Sequence, residues 1–234
     1  MNVADPGEAR VAILSEGKID EVYLERSGVS LTGNIYRATV TNVEPSLQAA
    51  FVNIGHERNG FLHASDCQPP DGGFSEVLSG RRRGRAKANA KRNGHGRPPI
   101  EKMLRKGQEL LVQVTKDGIG TKGPALTTYL SLPGRYLVLM PGLTRLGVSK
   151  KIEDEAQREE LRHILAELDA PKGLGFIART ASVGHPVEDI ARDLEFLVGL
   201  WQALLQRARE ASSPALIYQE SDLVIRAVRD FLPS

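Results

Sequence analysis

Apolar and polar positions alternate in short runs through the first half of the chain and recur with a helical period in much of the second. Between Asn34 and Ala64 the runs are Asn34 to Glu44, carrying Ile35, Tyr36, Val40 and Val43, then Ala49 to Ile54, then Gly60 to His63, punctuated by Pro45, Gly55 and Gly60. That rhythm predicts a small antiparallel barrel. Glu109 to Lys116, with Leu111, Val112 and Val114, adds a strand, and Pro124 to Leu132 adds another. After Thr128 the texture changes. A strand is expected over Tyr136 to Met140 and a turn at Pro141 and Gly142. A helix is expected from about Asp154 to Leu168, on the spacing of Leu161, Ile164, Leu165 and Leu168. Pro171, Gly173 and Gly175 end it and lead into a short strand, Gly175 to Thr180. A second helix is expected over Pro186 to Ala211, its buried stripe formed by Ile190, Leu194, Leu197, Leu200, Trp201 and Leu204, with Ser212, Ser213 and Pro214 closing it. The expected class is α+β: a barrel followed by packed strand-and-helix units.

Composition narrows this picture. At 234 residues and 41% hydrophobic the chain can bury a full core and divide into two compact units. No run approaches the roughly 18 apolar residues of a membrane-spanning helix, and no basic-then-apolar leader opens the sequence, so a cytoplasmic protein without a membrane span is expected. Cys67 is the single cysteine and the five histidines are scattered, which excludes an internal disulfide and a Cys/His metal cluster. The net charge of +2 is unevenly placed. Between Arg81 and Arg97 stand Arg82, Arg83, Arg85, Lys87, Lys91 and Arg92, with Gly, Ala and Asn as spacers and no acidic residue. Such a segment cannot build a core. It reads either as a solvated loop or as an arm attracting polyanions through counterion release. On the second reading, deleting it should mainly flatten the salt dependence of nucleic-acid binding.

Three groups of residues are candidates for chemistry. Phe51 and Phe61 lie on successive strands beside the glycines of AFVNIGHERNGFLHAS. They are either core residues or, on an OB-type surface, rings on which unpaired bases stack, with Lys116 and Lys122 flanking them to hold phosphates. Arg179 and Thr180, in GFIARTASVGHP, end a strand before a loop. They are either plain surface or an arginine fork and a hydroxyl suited to a terminal phosphate. For catalysis there is little: Asp222, Asp230, Glu220 and the Asp154/Glu155 pair form no close trio, and Ser182 with Gly184 and His185 is not a nucleophile elbow. No catalytic residue and no metal site is expected.

The stretch GNIYRATVTNVEPSLQAAFVNIGHERNGFLHASD, together with PGRYLVLMP, GVSKK and IARTASVG, resembles the ribonuclease E/G family. VAILSEGKIDEVYLER and LIYQESDLVIRAVRDFL resemble the two separated parts of that family's RNase H-like subdomain, so the likeness covers nearly the whole chain. The resemblance implies a division into residues 1–29 and 219–234, pieces of that subdomain, an OB-type RNA-binding barrel over 30–128, and a 5′-sensor subdomain over 129–218. It implies RNA contacts by Phe51, Phe61, Lys116 and Lys122. It also implies a 5′-monophosphate held by Arg179 and Thr180, a pocket lined by Gly134 and Val138, and a further contact at Lys150, where some relatives carry arginine. The implied partner is single-stranded RNA with a 5′-monophosphate. In that family a magnesium ion in a DNase I-like domain cuts RNA during processing and decay, and the full-length enzymes are homo-oligomers. The expectation here is an N-terminal portion without that domain, monomeric or weakly dimeric; the alternative is a stand-alone, non-catalytic RNA-binding protein.

Overall fold

The computed structural model describes residues 8–15, 17–26, 30–68 and 98–231, and the basic segment Arg81 to Arg97 lies outside them. The chain divides into two units, Leu31–Gln219 and the pair Met1–Ser30 with Glu220–Ser234. The N-terminal strand region is a hairpin of β1 (Glu8–Ser15) and β2 (Lys18–Arg26).

The larger unit opens with the barrel. Strands β3 (Ile35–Glu44), β4 (Ala49–Asn53), β5 (Gly60–His63), β6 (Glu109–Lys116) and β7 (Ala125–Thr127) run in the order β3-β4-β5-β7-β6, and β3 closes the ring by pairing with β6. One long strand serves both neighbours: Ile35 to Thr39 pair with β6, and Thr39 to Glu44 with β4. Side chains facing inward at every second position, among them Tyr36, Ala38, Val40, Val52, Leu62, Val112 and Val114, fill the barrel. The short helix α1 (Ile100–Met103) plugs one end with Ile100 and Met103. Gln48, in the left-handed region at φ +48°, is fixed there by its own amide, which donates to the Pro45 carbonyl at 2.8 Å and accepts the Ile100 N–H at 3.1 Å. Burial pushes the Cys67 thiol up to about 11. The native protein should therefore resist a thiol reagent at neutral pH and react only on unfolding, which absorbance-detected labelling along a urea series would read.

The run Pro124 to Leu132 is not one strand. After β7 the chain turns and re-enters a sheet only at β8 (Leu132–Pro133). Side chains take over the backbone bonds in between: Thr127 Oγ1 accepts the Tyr129 N–H at 3.0 Å, and Gln113 Oε1 accepts the Ser131 N–H at 2.8 Å.

The rest of this unit is a four-stranded sheet, in the order β10-β11-β9-β8, with two helices. Its further elements are β9 (Leu137–Pro141), β10 (Leu146–Val148), α2 (Glu155–Glu167), β11 (Leu174–Ala178) and α3 (Val187–Glu210). Asp154 caps α2 by accepting the Ala156 N–H at 2.8 Å. The α3 stripe, with Ile190, Leu194, Leu197, Trp201 and Leu204, packs with Leu137, Leu139 and Phe176. Ile35 and Leu111, on the outward side of barrel strands, enter the same core, so barrel and sheet are packed together. β12 (Ala215–Tyr218) pairs with β3, and its Ile217 is buried in this core.

In the smaller unit, α4 (Leu223–Phe231) lays Leu223 and Ala227 against Val11 of the hairpin, with Ala9 and Tyr23 beside them. Glu25 accepts the Leu223 N–H at 2.9 Å and pairs with Arg226 at 3.0 Å, tying strand to helix.

Candidate nucleic-acid interface

Strand register makes one face of the barrel. Phe51 and Phe61 stand directly opposite each other on β4 and β5; Phe61 pairs onward with Ala125 of β7, and Ala125 with Lys116 of β6. A lateral row thus runs from two rings to a lysine across four strands. The rings meet edge-to-face at 6.1 Å, and His63, two residues beyond Phe61, stacks on it at 6.5 Å and 24°. All three are half-buried and none enters the barrel core, which is filled by their neighbours Ala50, Val52 and Leu62. The core reading of Phe51 and Phe61 therefore does not describe them.

Two glycines draw the β6–β7 turn against the β4–β5 loop. A Cβ at Gly123 would collide with the Asn59 carbonyl, and one at Gly60 with the Leu126 side chain. That approach sets exposed Lys122 beside the loop containing Arg58 and Asn59. Lys116 is likewise exposed.

A second concentration forms at one edge of the four-stranded sheet. β10 runs parallel to β11, so both leave the sheet on the same side, β10 toward Lys150 and β11 toward Arg179 and Thr180. β9 is antiparallel and starts there, Leu137 opposite Ala178 and Val138 opposite Ile177. Three strand ends thereby bring Gly134, Val138, Lys150, Arg179 and Thr180 to one edge. The Arg179 N–H donates to the Tyr136 carbonyl at 2.8 Å, its guanidinium Nη1 to the Gly134 carbonyl at 2.5 Å, and the buried Ser182 hydroxyl to the Tyr136 carbonyl at 2.6 Å. The Arg135 guanidinium lies 5.3 Å from the centre of the Tyr136 ring, which packs 4.7 Å from His185.

A profile of the Ribonuclease E/G family matches residues 131–234. Ribonuclease E of Escherichia coli (strain K12) is 40% identical over 234 residues, 99% of this chain and 20% of that protein. Ribonuclease G of Salmonella typhimurium (strain SL1344) is 40% identical over 227 residues, 97% of this chain and 44% of that protein. Ribonuclease E of Haemophilus influenzae is 41% identical over 238 residues, 99% of this chain and 23% of that protein. The chain belongs to the ribonuclease E/G family. It spans less than half the length of each of these relatives.

Magnesium is the ion that membership of the ribonuclease E/G family implies. Among the described residues no three His, Cys, Asp or Glu side chains converge. The carboxylates singled out from the sequence have other partners. Asp154 caps α2, Glu155 pairs with Arg158 and Arg162, Glu220 and Asp230 pair with Arg229, and Asp222 accepts the Ile225 N–H in the first turn of α4. These carboxylates, already engaged and not converging, do not fit a magnesium centre. Among the described residues no helix is long and apolar enough to cross a membrane.

Two residues of these surfaces escaped the sequence reading. His63 had a signal, its two-residue offset from Phe61 on a strand. Asp193 had one as well: it interrupts the α3 stripe between Ile190 and Leu194, where the helical period predicts an apolar side chain.

Proposed function

We propose that this chain binds single-stranded RNA, stacking bases on Phe51, Phe61 and His63 and taking a 5′-monophosphate at the edge where Arg179, Thr180 and Lys150 meet Gly134 and Val138. The observation that carries this reading is the convergence of the three strand ends. An arginine, a threonine and a lysine from otherwise unrelated segments follow those strand ends, which supports the reading. A terminal phosphate carries close to two negative charges near neutral pH and three acceptor oxygens, which such donors match better than they match an internal phosphodiester. The Gly134 carbonyl accepts from one nitrogen of the Arg179 guanidinium, which tethers that side chain beside the proposed pocket. On the barrel, ring faces accept any base, while Lys116 and Lys122 hold the backbone without reading sequence. We assign the hairpin and α4 to the RNase H-like subdomain. The role of the whole is to hold and orient RNA for the magnesium-dependent cleavage expected of a complete ribonuclease E/G enzyme.

Arg179→Ala tests this reading. Fluorescence anisotropy with a labelled, unstructured RNA should show the advantage of a 5′-monophosphate over a 5′-hydroxyl falling by about tenfold or more, the worth of a charge-assisted pair. Affinity for the 5′-hydroxyl RNA should stay within about twofold, as expected for binding carried by barrel stacking and lysines. An equal fall for both RNAs would make Arg179 a general backbone contact and remove the sensor from the proposal.

A further inference from the structure

The first residues of the phosphate edge are held by a side chain from α3. The half-buried Asp193 carboxylate accepts three successive backbone N–H groups, those of Arg135 at 3.1 Å, Tyr136 at 2.9 Å and Leu137 at 2.8 Å. Gly134 precedes them. A Cβ built on Gly134 would lie 2.6 Å and 2.5 Å from the two carboxylate oxygens, closer than real Cβ contacts allow. The φ of Gly134 is not in the left-handed region, so its backbone does not demand glycine; the space taken by Asp193 does. The same residue supplies the carbonyl that anchors Arg179 at 2.5 Å.

We propose that Asp193 is a positioning residue of the 5′-phosphate pocket, and that Gly134 is a glycine so that the Asp193 carboxylate can reach the amides of Arg135 to Leu137. The inference rests on the phosphate reading of this edge. Its chain of action runs from α3 through the carboxylate to the start of β9, and from the Gly134 carbonyl to the Arg179 guanidinium. Charge alone predicts the opposite effect: a carboxylate near a phosphate repels it, so neutralising Asp193 would tighten binding of the 5′-monophosphate. Positioning predicts weakening, because an asparagine amide offers one acceptor oxygen and turns an NH2 group toward amide donors.

The test compares 5′-monophosphate and 5′-hydroxyl forms of one short unstructured RNA on the full chain, for the wild type, Asp193→Asn, Gly134→Ala and the double variant. Asp193→Asn and Gly134→Ala should each cut the monophosphate advantage by about five- to tenfold, the scale of lost hydrogen bonds to a charged acceptor, with 5′-hydroxyl affinity unchanged. The double variant should lose no more than either single one, since both disable the same clamp. Amide hydrogen exchange at Arg135, Tyr136 and Leu137, read without RNA, should accelerate in both single variants. A kept or increased advantage in Asp193→Asn, additive losses in the double variant, or equal loss for both RNAs overturns the positioning role while a wild-type preference leaves the phosphate reading standing. A wild type with no preference removes the phosphate reading, and the inference with it.

Discussion

Phe51→Ala and Phe61→Ala are each expected to weaken binding of an unstructured RNA by about 1–3 kcal/mol, the measured range for removing one base-stacking ring. The effect should fall on binding and leave folding nearly intact. Both rings sit half-exposed on the outside of β4 and β5, touching each other at 6.1 Å, whereas the barrel interior is packed by their neighbours Ala50, Val52 and Leu62. Leu62→Ala is the contrasting case: one residue from Phe61 on the same strand, it is fully buried, and its truncation should cost about 2–5 kcal/mol of stability through lost burial and a cavity. Anisotropy titrations beside thermal unfolding separate the two outcomes. If the phenylalanine variants melt early and bind normally, the rings are structural and the barrel face is not the stacking surface.

Arg37→Ala is expected to destabilise the larger unit by about 1–3 kcal/mol, the cost of leaving part-buried backbone carbonyls without their donor. Arg37 stands on the outward side of β3, only 14% exposed, and pairs with Glu109 on β6. Its Nη1 also donates to the Ala208 carbonyl at 2.8 Å and the Ala211 carbonyl at 2.6 Å. These carbonyls close the last turn of α3, where no further helical N–H is present and the helix dipole concentrates negative partial charge. One guanidinium therefore satisfies orphan carbonyls, matches the dipole and joins barrel to helix. Arg37→Lys keeps the charge but has no planar fork to span Glu109 and the helix end, so it should recover only part of the loss. Urea unfolding followed by circular dichroism reads both variants; a loss below about 1 kcal/mol for the alanine variant, the scale of a surface pair, would show that solvent takes over the carbonyls.

The repeating local signals were legible in the sequence. The α3 stripe and its bounding prolines placed a helix at Pro186 to Ala211, and the structure has it at Val187–Glu210; the strands Gly60–His63 and Glu109–Lys116 fall where alternation put them. Other features depended on partners far along the chain. Closure of β3 on β6 joins residues some seventy positions apart, and β12 meets β3 across most of the chain, pairings that alternation within a single run cannot specify. β10 is three residues long, too short for a period to declare itself. The break in Pro124 to Leu132 came from Thr127 and Gln113 side chains taking backbone bonds, a competition that propensity does not resolve. Phe51, Phe61, Lys116, Lys122, Arg179 and Thr180 stand out by residue type and place in the sequence, whereas Gly134, Val138 and Lys150 follow only from the family resemblance. That Lys150, Arg179 and Gly134 reach one edge is a product of β10 and β11 running parallel and β9 antiparallel.

The most direct test of the central claim is equilibrium binding of one short, unstructured, end-labelled RNA to the intact chain, with either a 5′-monophosphate or a 5′-hydroxyl, in magnesium-containing buffer at fixed salt. The account predicts binding of both, tighter for the monophosphate, with the advantage abolished by Arg179→Ala. Equal affinity for the two ends would contradict the phosphate pocket, and no binding of either would contradict the barrel face as well.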